Sequence, residues 1–380
     1  MKIPLSAPDV QEEEIGMVAA VLRAPQLSLG PRLEEFEHAI ARYIGTENAI
    51  GVSSGTAGLH LCVRGLGIGA GDEVIVPSFA FIAVANVLRY ENAIPVFVDI
   101  EAQTLNLDAG RIEAAVTPRT KAILVVHTFG CPAELSKILD IARRHHLRVI
   151  EDACEAIGAE YENRKVGGLG DAGVFGFYPN KQITTGEGGV VVTGDPRLES
   201  VIRALRNQGR THSEAWFQHS ALGYNYRLSE MSCALGIGQM KRIEAILSVR
   251  EEIARKYSDR LKENKNVRLP ALALPNRKIS WFVYVVRLSE RYSQVHRDWI
   301  VQEMNRRGIG CGRYFAPIHL QPTYQGAAAR SMDLRITETE ASRCVALPFF
   351  NRLQDEQIDE VCENLCELIP LAGGLLPRLT

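Results

Sequence analysis

An α/β fold, with a large mostly parallel sheet between helices and a smaller α+β companion, is what this sequence predicts. Three observations carry that expectation. Seven short apolar runs alternate with helical patterns between residues 48 and 193. The runs near 74, 122 and 148 are continuously apolar rather than alternating, as when helices cover both faces of a parallel sheet. The chain of 380 residues is also long enough for one large domain and a second, smaller one.

Residues 9–23 and 31–44 come first and read as amphipathic helices. Pro31 suits the first helical position, where a backbone amide has no partner anyway, and Glu34 and Glu35 put negative charge where the helix dipole favours it. The strands are expected at 49–52, 73–76, 95–98, 122–127, 148–151, 173–177 and 189–193, which makes a seven-stranded sheet. A long helical pattern over 229–262 then leads to a strand at 281–288, a helix at 298–307, a strand at 311–315 and a last helix at 355–369. Residues 1–245 are accordingly assigned to the large domain and 246–380 to the small one.

Charge and cysteine usage narrow the partners. The 43 basic and 45 acidic residues are interspersed and sum to −2, so no basic face suited to nucleic acid is expected. The eight cysteines are dispersed and the opening Met1 to Pro8 lacks an apolar signal core, which reads as a cytoplasmic protein with reduced thiols. Cys362 and Cys366 lie one helical turn apart, but no second pair with zinc spacing accompanies them, so no metal site is expected. The longest apolar stretches are too short or too interrupted for a membrane span.

The residues that suggest chemistry begin with Lys181, in the run Phe177-Tyr-Pro-Asn-Lys-Gln-Ile-Thr-Thr-Gly-Glu-Gly-Gly189. Apolar residues precede it and follow closely after it. That setting suits an amine that forms a Schiff base, although a lysine capping a turn would look the same. Ser53-Ser-Gly-Thr-Ala-Gly58 follows a strand and opens a helix. Gly55 would let the backbone approach a phosphate and Thr56 offers a hydroxyl, beside the ordinary reading as a helix cap. Asp152 lies at the C-terminal edge of a buried strand, where α/β folds collect ligands, and a carboxylate there calls for a cationic partner or a capping role. Glu155 lies three residues on. Two GxGxxG/A-like stretches, Gly65–Ala70 and Gly168–Gly173, precede strands instead of following them, so neither reads as a dinucleotide site. A lysine for an aldehyde, an acid for a ring nitrogen and a helix start for a phosphate match the three handles of pyridoxal 5′-phosphate.

At these residues the sequence resembles the nucleotide-sugar aminotransferases, the DegT/DnrJ/StrS group of fold-type I pyridoxal-phosphate enzymes. The likeness runs from Ile3-Pro-Leu-Ser through Ser53-Ser-Gly-Thr-Ala, Val76-Pro-Ser-Phe-Ala-Phe-Ile-Ala, Pro95-Val-Phe-Val-Asp, Ile150-Glu-Asp-Ala and Tyr178-Pro-Asn-Lys to Gly186-Glu-Gly-Gly and Gly223-Tyr-Asn-Tyr-Arg. It implies that Lys181 binds the cofactor aldehyde and that Asp152 keeps the pyridine nitrogen protonated. It further implies that Phe81 stacks on the ring, that Gly55, Thr56 and Ala57 meet the phosphate, and that Asn225 reaches the phosphate from the other subunit of a homodimer. Two positions depart from the family's commonest pattern. Glu155 replaces the usual glutamine beside the cofactor hydroxyl, a variant similar to perosamine synthases and related 4-aminotransferases, and Gly176 replaces a serine that usually contacts the phosphate.

The resemblance implies transamination from L-glutamate to a nucleotide-linked keto sugar, with Glu155 tilting the expectation to a 4-keto-6-deoxyhexose. Sugar 3-dehydratases that resemble the same fold carry histidine at the position of Lys181, so the lysine argues for amine transfer. A non-catalytic protein on this scaffold would need neither the lysine nor its acid. Tyr314 and His319, in Tyr314-Phe-Ala-Pro-Ile-His-Leu-Gln321, resemble the family's loop near the sugar. Arg227 and Arg210 would suit a nucleotide diphosphate through their guanidinium forks, or would be ordinary surface pairs.

Overall fold

The computed structural model describes residues 2–210 and 219–374. At its centre an eight-stranded sheet runs in the order Asn48–Val52, Gly189–Thr193, Ala172–Gly176, Arg148–Asp152, Thr120–Val126, Glu73–Pro77, Ile94–Val98 and Arg330–Ser331. Gly189–Thr193 is antiparallel to both neighbours, and every other neighbouring pair is parallel. The seven strands read from the sequence are present close to their expected bounds. The eighth is a difference: Arg330–Ser331 returns from the C-terminal part of the chain to pair with Val96 and Phe97. Two residues are too few to show a period, which is why it was not foreseen.

The continuous apolar runs divide residue by residue between the two faces. Ile75, Ile123, Val125 and Phe175 pack with Phe36 and Ile40 of helix Pro31–Ile44 and Ile138 of helix Leu135–Arg144. Val74, Val76, Leu124 and Ile150 pack on the other side with Leu59 of helix Gly55–Gly65 and Val87 of helix Ala83–Tyr90. Each such fully buried side chain contributes about 1.5–3 kcal/mol, so covering both faces is what makes this sheet stable.

A second body gathers around Tyr257, Tyr284, Ile300 and Phe349, with a three-stranded sheet of Val267–Arg268, Tyr284–Leu288 and Cys344–Leu347. The start of the chain packs here as well: Ile3 joins this core and bridges to Ile309, and Leu5 O accepts from Phe349 N at 2.9 Å.

Four expectations are corrected. The helical pattern 229–262 is two helices, Glu230–Lys241 and Ile243–Leu261, broken at Arg242, whose side chain is drawn off to Asp9 and Glu14. Residues 311–315 form no strand; a single bridge joins Gly312 to Ala346, and the chain then turns away to line the cavity described below. Residues 281–283 precede the strand instead of belonging to it. The helix expected at 298–307 begins earlier, at Gln294, because Ser293 and His296 form a capping box that leaves the helix start complete before the apolar pattern becomes visible. Among the described residues no helix is long and apolar enough to cross a membrane.

Candidate active site

The C-terminal ends of the parallel strands and the start of helix Gly55–Gly65 open onto one cavity of about 410 Å³. Strand alternation decides which acid reaches it. Asp152 lines the cavity, and its Oδ1 accepts from Cys154 N at 3.0 Å. Glu151 faces the opposite way, where it meets His127 Nε2 at 3.0 Å and the amides of Gly167, Leu169 and Gly170. Burial alone would push the Glu151 carboxyl up; the His127 ring and the amides overcome this and hold it below the usual range. One acid of the Glu151-Asp152 pair is thus structural and the other faces the site.

At the helix start, Ser54 accepts from Ala57 N through its Oγ at 3.0 Å. The cap expected as an alternative is therefore real, and it coexists with Gly55 and Thr56 lining the cavity. Ala57 is buried behind them, with its amide taken by Ser54. A β-carbon on Gly55 would stand 2.7 Å from Cys154 Sγ, and one on Gly176 would stand 3.2 Å from Cys154 Cβ and Sγ. Two glycines and a cysteine thus form a wall that any added side chain would overfill, leaving bare backbone beside the helix N-terminus, as an anion requires.

Lys181 lines the same cavity. Its Nζ is 3.5 Å from Glu155 Oε1 and 4.0 Å from the centroid of the Phe282 ring. The apolar setting read from the sequence is therefore incomplete, because a carboxyl group from the turn after Asp152 reaches the amine. Burial pushes the Glu155 carboxyl up; Lys181 and the Phe129 amide, which donates to Oε2 at 3.0 Å, pull the other way, and Asp152 adds to the rise. Phe81 also lines the cavity, yet 60% of it is exposed, which leaves an open aromatic face. Asn180 Oδ1, beside Lys181, is buried with no hydrogen-bond partner among the described residues. An amine, an acid for a cationic nitrogen, an open ring face, a helix start and an unsatisfied acceptor fit a cofactor with an aldehyde, a pyridine ring and a phosphate.

The other candidates divide. Tyr314 lines the cavity together with Phe315 and Phe282, all three from the C-terminal part of the chain. His319 does not line it: Nδ1 meets Ser78 Oγ at 2.7 Å and Nε2 meets Glu338 at 3.1 Å, so the ring ties its loop to the end of strand Glu73–Pro77. Asn225 is exposed on the surface, outside the cavity of its own chain. Arg227 donates to Asn207 Oδ1 at 3.0 Å, and Arg210 lines a separate groove with Arg203 and Arg206. Sequence reasoning missed Phe282, Phe315 and Cys154. Nothing in their spacing marks them, since each is an apolar residue brought to the site by a loop or turn.

Comparison with known proteins gives consistent relatives. The sequence pattern of the DegT/DnrJ/EryC1/StrS aminotransferase family matches residues 8–366. The chain is 40% identical over 371 residues to GDP-perosamine synthase of Caulobacter vibrioides, covering 97% of this chain and 98% of that protein. Among solved structures it is similar to PseC of Helicobacter pylori, an aminotransferase involved in the biosynthesis of pseudoaminic acid, with a TM-score of 0.93, 29% identity and coverage of 98% and 100% of the two chains. It is also similar to Spr1654 from Streptococcus pneumoniae in its PLP form, with a TM-score of 0.93, 25% identity and the same coverage.

Proposed function

Since the chain belongs to the DegT/DnrJ/EryC1/StrS aminotransferase family, we propose that it transfers the amino group of L-glutamate to C4 of a nucleotide-linked 4-keto-6-deoxyhexose. Its class, a pyridoxal-phosphate-dependent sugar aminotransferase, follows from that membership. The choice of C4 is supported by Glu155 at the cofactor face and by the 40% identity to a GDP-perosamine synthase.

The single observation that carries the reading is Lys181 Nζ in the same cavity as Asp152, Glu155 and the start of helix Gly55–Gly65. Pyridoxal phosphate, when bound, supplies an aldehyde that captures amino groups and a pyridine ring that accepts electrons. Asp152 would pair with the ring nitrogen and keep it protonated, since a buried carboxylate is stable only beside positive charge. Lys181 Nζ, freed when glutamate binds, would take the proton from the donor's α-carbon and pass it to the carbon of the aldehyde group, and water would supply the oxygen of the 2-oxoglutarate that leaves. In the second half, the same nitrogen would return a proton to the sugar carbon that bore the ketone and water would leave, so that overall one nitrogen and three hydrogens pass from donor to sugar in exchange for one oxygen. Gly55 and Thr56 would hold the phosphate at the helix start, with Ala57, whose own amide Ser54 takes, behind them; Phe81 would cover the ring and Tyr314 would face the sugar. Asn225, exposed in its own chain, completes the phosphate site of a second copy, which makes the working form a homodimer. The reaction is expected in the cytoplasm.

The test is incubation with glutamate and a panel of nucleotide-linked 3-keto and 4-keto sugars, following release of 2-oxoglutarate. Release with 4-keto sugars is expected. Release only with a 3-keto sugar would overturn the assignment of C4 and leave the enzyme class intact.

A further inference from the structure

The amine of Lys181 faces more than acids. The ring of Phe282 lies under it, with Nζ 4.0 Å from the ring centroid, and Phe282 is only 2% exposed. This ring comes from irregular backbone just ahead of strand Tyr284–Leu288, and a buried arginine fixes it. Arg250, on helix Ile243–Leu261, donates from Nε to Trp281 O at 2.7 Å, from Nη2 to Phe282 O at 2.7 Å and from Nη1 to Asn351 Oδ1 at 2.9 Å. None of these partners is charged, and burial pushes the guanidinium down to about 9. Burying a cation among neutral acceptors is costly, and its effect here is to pin the backbone on both sides of one carbonyl pair. Tyr314 adds a second restraint by stacking on Phe282, with centroids 6.4 Å apart and planes 24° apart.

We propose that Phe282 is a positioning residue for the reaction, its π face holding the Lys181 nitrogen whenever that nitrogen is positively charged, with Arg250 fixing the ring. The inference rests on the assignment of Lys181 made above. A desolvated aromatic face attracts a cation because its quadrupole presents negative charge along the ring normal. The titratable groups around the same nitrogen are Glu155, Asp152 and Cys154 from the turn after Arg148–Asp152, and Tyr314 from the C-terminal part of the chain. Substituting Phe282 removes none of these four groups.

The experiment titrates the visible absorbance of cofactor-loaded protein from neutral to alkaline pH, with melting temperature as the check on folding. Phe282→Leu and Phe282→Met keep apolar bulk without a ring, and in them the midpoint at which the visible band is lost should fall by about 0.4–1.5 units. Phe282→Tyr, which keeps the ring, should restore it. An unchanged midpoint in the Leu and Met variants overturns the inference, and so does an equal fall in all three, which would mean packing alone. If the unsubstituted protein develops no visible band with pyridoxal phosphate, the assignment of Lys181 fails and takes this inference with it. A band that titrates identically in every variant sinks only the role of Phe282.

Discussion

Restoring a serine at position 176 tests the packing of the phosphate wall, because Gly176 and Cys154 cannot both carry full side chains there. A β-carbon on Gly176 stands 3.2 Å from both Cβ and Sγ of Cys154. Comfortable carbon contacts lie at about 3.5–4.0 Å, so the overlap is a few tenths of an ångström. Cys154 is already engaged on another side, its Sγ donating to Val174 O at 3.7 Å, which limits how far it can yield. Gly176→Ser should therefore destabilise the cofactor-free protein by about 1–3 kcal/mol, the usual cost of overpacking. The new hydroxyl would add a hydrogen bond to the phosphate worth about 1.5 kcal/mol, or roughly tenfold in cofactor affinity. Packing cost and phosphate bond thus separate by state, one in the apo protein and one only on loading. Cys154→Ala removes the sulfur and with it one of the two 3.2 Å contacts, so the double variant should recover stability that the single changes do not predict, with a coupling of about 1 kcal/mol. Unfolding of the four proteins of this cycle without cofactor, followed by cofactor titration, gives both numbers. Stabilities that add within about 0.5 kcal/mol would refute the packing argument.

The buried Glu151 carboxylate, held below its usual range, contributes stability that is present above an unfolded value of about 4.3 and is lost as pH falls through the lower folded value. Glu151→Gln should cost about 3 kcal/mol at neutral pH and flatten the acid limb of a stability–pH curve, and an unchanged acid limb would contradict this. Glu230 accepts from the amides of Gly30, Arg32 and Leu33 at 2.9, 2.8 and 3.0 Å, so it caps helix Pro31–Ile44 from a distant part of the chain. Its replacement by alanine should cost about 2 kcal/mol in urea unfolding, and a loss within experimental error would count against that cap. Tyr314→Ala should lower kcat/KM for the sugar by about tenfold or more, while His319→Ala should chiefly cost about 1 kcal/mol of stability. Equal kinetic losses from the two would mean that His319 also faces the substrate.

Much of the large sheet was legible because its strands are buried on both faces, and a run such as Val74, Ile75 and Val76 has no other reading between two turns. What stayed hidden depends on partners far away in sequence. Arg330–Ser331 joins the sheet only because Val96 and Phe97 offer an edge, and the break at Arg242 depends on Asp9 and Glu14. In the site, Lys181, Asp152, Glu155, Gly55, Thr56, Phe81 and Tyr314 line one cavity. Asn225, Arg227 and His319 lie outside it in their own chain, and for His319 the reason is specific: Ser78 and Glu338 satisfy both ring nitrogens. Phe282 carries no motif at all, since its place against the lysine is set by Arg250.

The assignment of Lys181 is tested most directly by loading the protein with pyridoxal phosphate, reducing it with borohydride and mapping the modified peptide by mass. Reduction turns a lysine–cofactor imine into a stable amine. The mass of the reduced cofactor should appear on the peptide containing Lys181 and should be absent after prior incubation with glutamate, which displaces the lysine. Label on a different lysine, or none on Lys181 in protein that still transaminates, would contradict the account at its centre.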